Sequence, residues 1–364
     1  MAIIKQSSGH LATERPFLNM KIKIDKNSKF ALVGHGYHLN YLFNELIKNK
    51  LPKPIIITHP KKFHLRDIRN NENDSSLYKS IFDLEKKTNV FYIDDINSKK
   101  GNSILKKNKI DYIFSLSSRF IFKNKIINNY RNKIFNLHPS LLPEEKGGGT
   151  FTYRILNKKK FCAASIHILD EEIDTGQIVI KSKKEKLKGQ MIPINYLKHT
   201  NLIYESLIKI FVRKIVKNSK FLLKNQNISK GWYLPRFYTD ISGAIDFSWT
   251  GENIDLFIKA CSKPYPGAFC FIKFKKKNLK IVIYNSQFLK NKKFSHPWFV
   301  GKIFYETKDL IKISVTDGIL IVKKKDLKFK NNTVIKKFIG KTLFNFNDKI
   351  VNSLSTVTNI FEYK

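Results

Sequence analysis

A succession of short apolar runs without polar alternation constrains this chain more than any other feature. Phe30-Ala-Leu-Val33, Pro54-Ile-Ile-Ile-Thr58, Val90-Phe-Tyr-Ile93 and Tyr112-Ile-Phe-Ser-Leu116 are each too short to make a buried helix. Continuous β-branched and aliphatic runs of this length fit strands covered on both faces, as in parallel sheets. Parallel strands need crossovers, and the intervening segments supply them. Gly34-His-Gly36 is followed by apolar residues at 39, 42, 43, 46 and 47, one face of a helix. Helical patterns are expected over 77–87 and 102–108, and the polar stretch 61–76 reads as a loop. The alternation predicts an α/β domain on a doubly wound, mostly parallel sheet.

Further strands are expected at Ala164-Ser-Ile-His-Ile-Leu169 and Ile178-Val-Ile180, with a helix over 151–157. A long helix follows, with Leu202, Leu207, Ile208, Phe211, Ile215 and Leu222 among its apolar positions. From Tyr233 the character changes to short aromatic and β-branched runs: Ile245-Asp-Phe-Ser-Trp249, 269–274, Ile281-Val-Ile-Tyr284, 311–315 and 319–322. The last two flank a Thr316-Asp-Gly318 hairpin signal. One helix, 252–261, interrupts them. This part predicts a smaller, mainly β domain, barrel-like and OB-like by strand count. A chain of 364 residues is long for one core. We divide it into a leading tail over 1–20, a catalytic domain over 21–230 and a C-terminal domain over 231–364. Met20 is a natural second start.

The formal net charge of +39 suggests a nucleic-acid partner. However, only eight of the 68 basic residues are arginine, and the lysines are spread along the whole chain. Lysine, asparagine and isoleucine have A/T-rich codons, so the charge reads mostly as a solvated surface. No run approaches the ~18 apolar residues of a membrane span, so no membrane partner is expected. Cys162, Cys261 and Cys270 form no disulfide framework, which suits the cytoplasm. His35, His38, His138 and His167 lack ligand spacing, and no metal is expected.

The chemistry concentrates in Asn136-Leu-His-Pro-Ser-Leu-Leu-Pro143, Gly147-Gly-Gly149 and Asp170-Glu-Glu-Ile-Asp-Thr-Gly176. On a strand, Asn136 and His138 share a face, and Pro139 ends the ladder just after them. The pair therefore lies at a strand's carboxyl end, where α/β sheets place their sites. Asp174 can return to the same pocket after a strand and a turn. An amide, an imidazole and a carboxylate suit acyl transfer to an amine. Asn136 and protonated His138 can donate to a developing oxyanion, and Asp174 can take the ammonium proton while orienting His138. Alone, an Asn-x-His or an Asp-Thr-Gly is usually a satisfied histidine or a tight turn. Their joint order is what carries the chemical reading.

Phe135-Asn-Leu-His-Pro-Ser-Leu-Leu-Pro143 and His167-Ile-Leu-Asp-Glu-Glu-Ile-Asp-Thr-Gly-Gln-Ile-Val179 resemble the folate-dependent formyltransferase family. The resemblance implies a Rossmann-like domain that uses 10-formyltetrahydrofolate as co-substrate, with Asn136, His138 and Asp174 in the three catalytic positions. It also implies that Ser118, Arg119, Phe120, Ile121, Asp170 and Glu171 line the folate pocket. Lys146 stands where the family carries arginine. Gly243-Ala-Ile-Asp-Phe-Ser-Trp249 and Pro264-Tyr-Pro-Gly-Ala268 look like the start of the C-terminal domain of two-domain members.

Two acceptors are compatible with this resemblance: methionyl-tRNA, and a nucleotide-linked amino sugar. The tRNA enzymes share a basic, proline- and arginine-rich loop after the second strand, and here that region turns acidic and polar. Gly34, His35, Gly36 and Tyr37, leading into a helix, suit phosphate or sugar hydroxyls and are expected to bind substrate. The 147–156 loop and helix look more like the sugar enzymes. The sugar is therefore the expected acceptor, with tRNA as the alternative partner. A further alternative is an inactive RNA-binding scaffold, with aromatics among lysines over 269–277 stacking on bases. Edges of the β domain offer a surface through which a homodimer could form.

Overall fold

The computed structural model describes residues 20–71, 79–274, 277–291, 296–329 and 337–345. The expected tail thus lies outside the described residues except for Met20. The chain builds β1 (Phe30–Gly34), α1 (Gly36–Lys48), β2 (Ile55–Thr58) and α2 (Lys61–Asn71). It continues with β3 (Val90–Tyr92), α3 (Lys99–Lys107), β4 (Tyr112–Leu116), α4 (Asn124–Asn129) and β5 (Ile134–His138). Then come β6 (Glu145–Lys146), α5 (Thr150–Leu156), β7 (Ser165–Ile168), β8 (Ile178–Lys181), α6 (Pro193–Val216) and β9 (Trp232–Tyr233).

Seven of these strands form one sheet in the order β8-β7-β5-β4-β1-β2-β3. The five from β1 to β5 run parallel, and β7 and β8 are antiparallel additions. Every residue of β1 and β2 is buried, the double coverage that their unalternating sequence requires. One apolar cluster joins α1 and α6 to one face of the sheet, and a second joins α3 and α4 to the other.

Four details depart from the sequence reading. Residues 61–71, expected as part of a loop, form α2 with His64 inward, and the rest of that expected loop, 72–76, lies outside the described residues. Helix over 77–87 is confined, among the described residues, to Phe82–Glu85. Leu222 is not part of the long helix, which ends at Val216; it sits in a short strand, Phe221–Leu222. Of residues 245–249, only Ile245 joins the Ala244 bridge, donating to the Phe269 carbonyl at 2.8 Å, while 247–249 turn away, with Asp246 Oδ1 accepting from the Ser248 N–H and hydroxyl.

Beyond α7 (Gly251–Ala260) lie β10 (Ala268–Phe274), β11 (Lys277–Ile283), β12 (Gln287–Lys290), β13 (Ile303–Glu306), β14 (Leu310–Val315), β15 (Gly318–Lys323), β16 (Leu327–Phe329) and β17 (Leu343–Phe344). They form two four-stranded antiparallel sheets, β16-β11-β10-β17 and β12-β15-β14-β13, around one shared core. Alternation in β14 and β15 turns Ile311, Ile313, Val315, Leu320 and Val322 into that core. Among the described residues no helix is long and apolar enough to cross a membrane. All three cysteines are buried and free.

Candidate active site

The parallel strands β1 to β5 share a carboxyl edge, and the candidate residues gather there. Asn136 and His138 lie at the end of β5, and antiparallel pairing sets Asn136 opposite His167 of β7. The loop after β7 then carries Asp174 back beneath them. Asp174 adopts a left-handed φ of 57°, a conformation that Asp tolerates better than most side chains.

His138 Nδ1 lies 3.4 Å from Asp174 Oδ2, and His167 Nε2 lies 3.3 Å from Asp174 Oδ1. The Gly147 N–H donates to Asp174 Oδ2 at 2.8 Å. Asn136 Nδ2 donates to His167 Nε2 at 3.0 Å, and the opposite His167 nitrogen donates to the Ile168 carbonyl at 2.9 Å. His138 Nε2 donates to the Glu145 carbonyl at 2.7 Å, which also accepts from Ser140 Oγ. Burial pushes Asp174 up, but His138, His167 and the Gly147 N–H outweigh it and hold the carboxyl well below its ordinary value. Burial lowers His138 despite the opposing pull of Asp174. Asp174 is therefore a buried carboxylate held in its anionic form beside His138 and His167, an arrangement able to accept a proton.

The structure thus brings Asn136, His138 and Asp174 together. It adds His167, which the sequence reading took as an ordinary strand residue. It is one, in β7, and its ring also links Asn136 to Asp174. It adds Glu145 as well, whose carboxylate is gripped by fully buried Arg154: Nε and Nη2 lie 2.7 and 2.6 Å from Oε2.

Of the other expected site residues, two groups follow parallel strands at the same edge and the third lies in the loop after antiparallel β7. Ser118, Arg119, Phe120 and Ile121 follow β4. Ser118 Oγ accepts from the Phe120 N–H, and Ile121 is 78 % exposed. Arg119 is committed to a two-point pair with Asp67 of α2, at 2.7 and 2.9 Å. In the loop after β7, Asp170 Oδ1 accepts from Thr175 Oγ1, and Glu171 is exposed. Gly34, His35, Gly36 and Tyr37 form the β1–α1 turn. Gly34 must be glycine: its φ is 131°, and a Cβ would meet the Leu116 carbonyl oxygen at 1.9 Å. The Tyr37 hydroxyl donates to Glu205 of α6 at 2.5 Å.

Residues 27–191 match the family model described as formyl transferase, and residues 239–342 match that of the formyl transferase C-terminal domain. Among curated proteins, the chain is 30% identical over 211 residues to the bifunctional polymyxin resistance protein ArnA of Wigglesworthia glossinidia brevipalpis, covering 56% of this chain and 30% of that protein. It is 27% identical over 195 residues to the methionyl-tRNA formyltransferase of Flavobacterium johnsoniae, covering 51% and 57%. The chain thus spans less than two thirds of either relative. An N-formyltransferase from Helicobacter canadensis, solved in complex with folinic acid and dTDP-3-aminofucose, shares the fold with a TM-score of 0.53 and 21% identity over 81% of this chain and 98% of that one. With both domain models matched in chain order, this protein belongs to the formyl transferase family.

Proposed function

We propose that this protein transfers the formyl group of 10-formyltetrahydrofolate to the primary amine of a nucleotide-linked amino sugar. The observation that carries the reading is the buried Asp174 carboxylate between His138 and His167, with Asn136 tied to His167. Asp174 takes one proton from the incoming ammonium, directly or through water. Asp174 passes that proton to His138 Nδ1, and the protonated ring then lies between two acceptors, the Asp174 carboxylate and the Glu145 carbonyl. The free amine attacks the formyl carbon. Because His138 Nε2 is held by Glu145, oxyanion stabilisation falls to the second N–H of the Asn136 amide. The bond from the formyl carbon to N10 breaks as N10 takes a proton, leaving a formamide and tetrahydrofolate; the other ammonium proton goes to solvent.

The residues expected to hold the folate suit it in kind. Exposed Ile121 offers an apolar face to a flat ring, and Asp170 and Glu171 offer carboxylate acceptors to its amino group. Two features support the sugar acceptor over tRNA. The segment after β2 is a helix drawn inward through His64 and Asp67, not a free basic loop. The Gly34–Tyr37 turn opens a 13-residue helix whose N-cap side chain makes no capping hydrogen bond, so its first N–H groups can meet a phosphate. The Helicobacter canadensis enzyme, solved with a dTDP-linked amino sugar, shares this fold across nearly its whole length. The tRNA reading draws on the Flavobacterium johnsoniae relative. A transfer assay with 10-formyltetrahydrofolate and a panel of nucleotide-linked amino sugars, run beside methionyl-tRNA, separates the two. Formylation of a sugar is expected. Transfer to tRNA alone would keep the chemistry and overturn the acceptor. Transfer to neither, with tight salt-dependent RNA binding, would favour the inactive scaffold.

A further inference from the structure

Among the described residues, the densest group of histidines lies outside the Asn136–His138–Asp174 triplet. His35 follows β1, His59 follows β2, and His64 and Asp67 sit on α2, so three separate segments converge at one end of the sheet. The His35 and His59 rings meet edge to face at 4.8 Å, and His59 stacks on His64 at 4.1 Å. His64 Nε2 is engaged with Thr58 Oγ1 at 3.0 Å, which fixes that ring as a wall behind His59.

His59 is 3% exposed, and neither of its ring nitrogens has a hydrogen-bond partner among the described residues. Buried imidazoles normally find partners, because an unmet donor or acceptor is costly. A ligand atom each from His35, His59 and Asp67 all lie within 4.8 Å of one another. His35 Nε2 and Asp67 Oδ2 are 3.6 Å apart, close to the roughly 3.3 Å edge of a tetrahedron with ~2.0–2.1 Å metal bonds. We propose that His35, His59 and Asp67 form a binding site for one divalent transition-metal ion of the zinc class.

The donor set selects the ion. Two imidazoles and one carboxylate suit zinc and its neighbours, whereas calcium and magnesium take oxygen ligands. An anion is disfavoured by the Asp67 carboxylate at the centre. A deeply buried imidazole is most readily kept in the neutral form that ligates. Arg119 grips both oxygens of Asp67 and orients it, as outer partners of metal-bound carboxylates do. The Arg119 charge opposes the ion, which places the site below a fully anionic one in affinity. Bound metal would tie the β1 turn to the β2 turn and α2. Through Arg119 it would also brace the segment expected to hold folate, without touching Asn136 or His138.

The test uses the full-length, untagged chain, stripped with a chelator and titrated with Zn2+ against a chromophoric competitor, then with Co2+ read by its visible absorption. One Zn2+ per chain is expected, with a Kd on the order of 1 µM or below, together with a cobalt spectrum of low-symmetry coordination. His59→Ala and Asp67→Asn should each weaken binding by at least about 100-fold, the upper end of what outer partners alone contribute. Asp174→Asn should bind as the unaltered chain does, which separates this site from the His138–His167–Asp174 group. Should His59→Ala lose its folded circular dichroism, Asp67→Asn, which sits on the partly exposed α2, decides. The proposal is overturned by absence of saturable binding in the unaltered chain, or by a folded His59→Ala or Asp67→Asn that binds as tightly.

Discussion

Arg154 is fully buried, with its guanidinium on the Glu145 carboxylate and 4.8 Å over the Phe161 ring. The other cation near that carboxylate is Lys159, half-exposed and 3.5 Å from Oε1. Replacing Arg154 by Met keeps much of the side-chain volume but leaves a buried carboxylate with one distant, solvated partner. Orphaning one member of a buried ion pair costs roughly 3–5 kcal/mol. At about 2–4 °C per kcal/mol for a unit the size of the catalytic domain over 21–230, the melting midpoint of that domain should fall by roughly 6–20 °C. Glu145→Leu combined with Arg154→Met removes both charges together and should recover most of the loss, because replacing a buried pair by apolar groups is often neutral or better.

Urea unfolding of the two single variants and the double variant completes the cycle. A coupling energy of at least about 2 kcal/mol is expected, far above the ~0.3–0.5 kcal/mol scatter of independent sites. An Arg154→Met cost below about 1 kcal/mol, or an additive cycle, would refute the reasoning. The pair also has a kinetic consequence. The Glu145 carbonyl accepts from His138 Nε2, and Glu145 lies on β6, which pairs with β9. Folded Arg154→Met should therefore lower kcat more than it raises KM, since a mispositioned His138 affects the reacting state and not substrate capture.

Three further outcomes follow from the geometry. Asp174→Asn keeps a side chain that accepts the left-handed backbone, so it should fold normally while kcat drops by about 100-fold or more, and His138→Ala should do likewise; single-turnover transfer rates near normal in both would sink the assigned roles. Gly34→Ala forces a Cβ against the Leu116 carbonyl at a φ of 131° and should cost at least about 2 kcal/mol, measurable as a lower unfolding midpoint. Burial holds His35 and His38 at about 3 and His59 at about 2. Unfolded histidines take up protons below about pH 6.5, so the unfolded state binds more protons and stability falls with acidification from about pH 6.5 to about 3, by up to ~1.4 kcal/mol per pH unit for each group. Lowered Asp174 adds its own loss only below about pH 3.9, so a flat unfolding free energy from pH 7 to 5 would contradict the burial of these rings.

What could be read from the sequence was what repeats along the chain. The runs at β1, β2, β3 and β4 announce a parallel sheet because buried strands must be apolar on both faces. Asn136 and His138 were legible because alternation and Pro139 fix their face and their position at a strand end. His167 was not. Its part in the site depends on the antiparallel pairing that sets it opposite Asn136, and nothing local to Ser165–Ile168 specifies that partner. Helix α2 was missed for a related reason. Its inward positions include His64 and Asp67, spaced as a helix requires but polar, so a search for apolar periodicity passes over them. The Glu145–Arg154 pair joins a two-residue strand to a short helix and carries no periodic trace. In each missed case the residues turned inward are polar and their partners come from elsewhere in the chain. Polar residues that must be buried cannot be placed until the fold supplies those partners, and so the network around Asp174 and the histidine group at His59 became visible only in three dimensions.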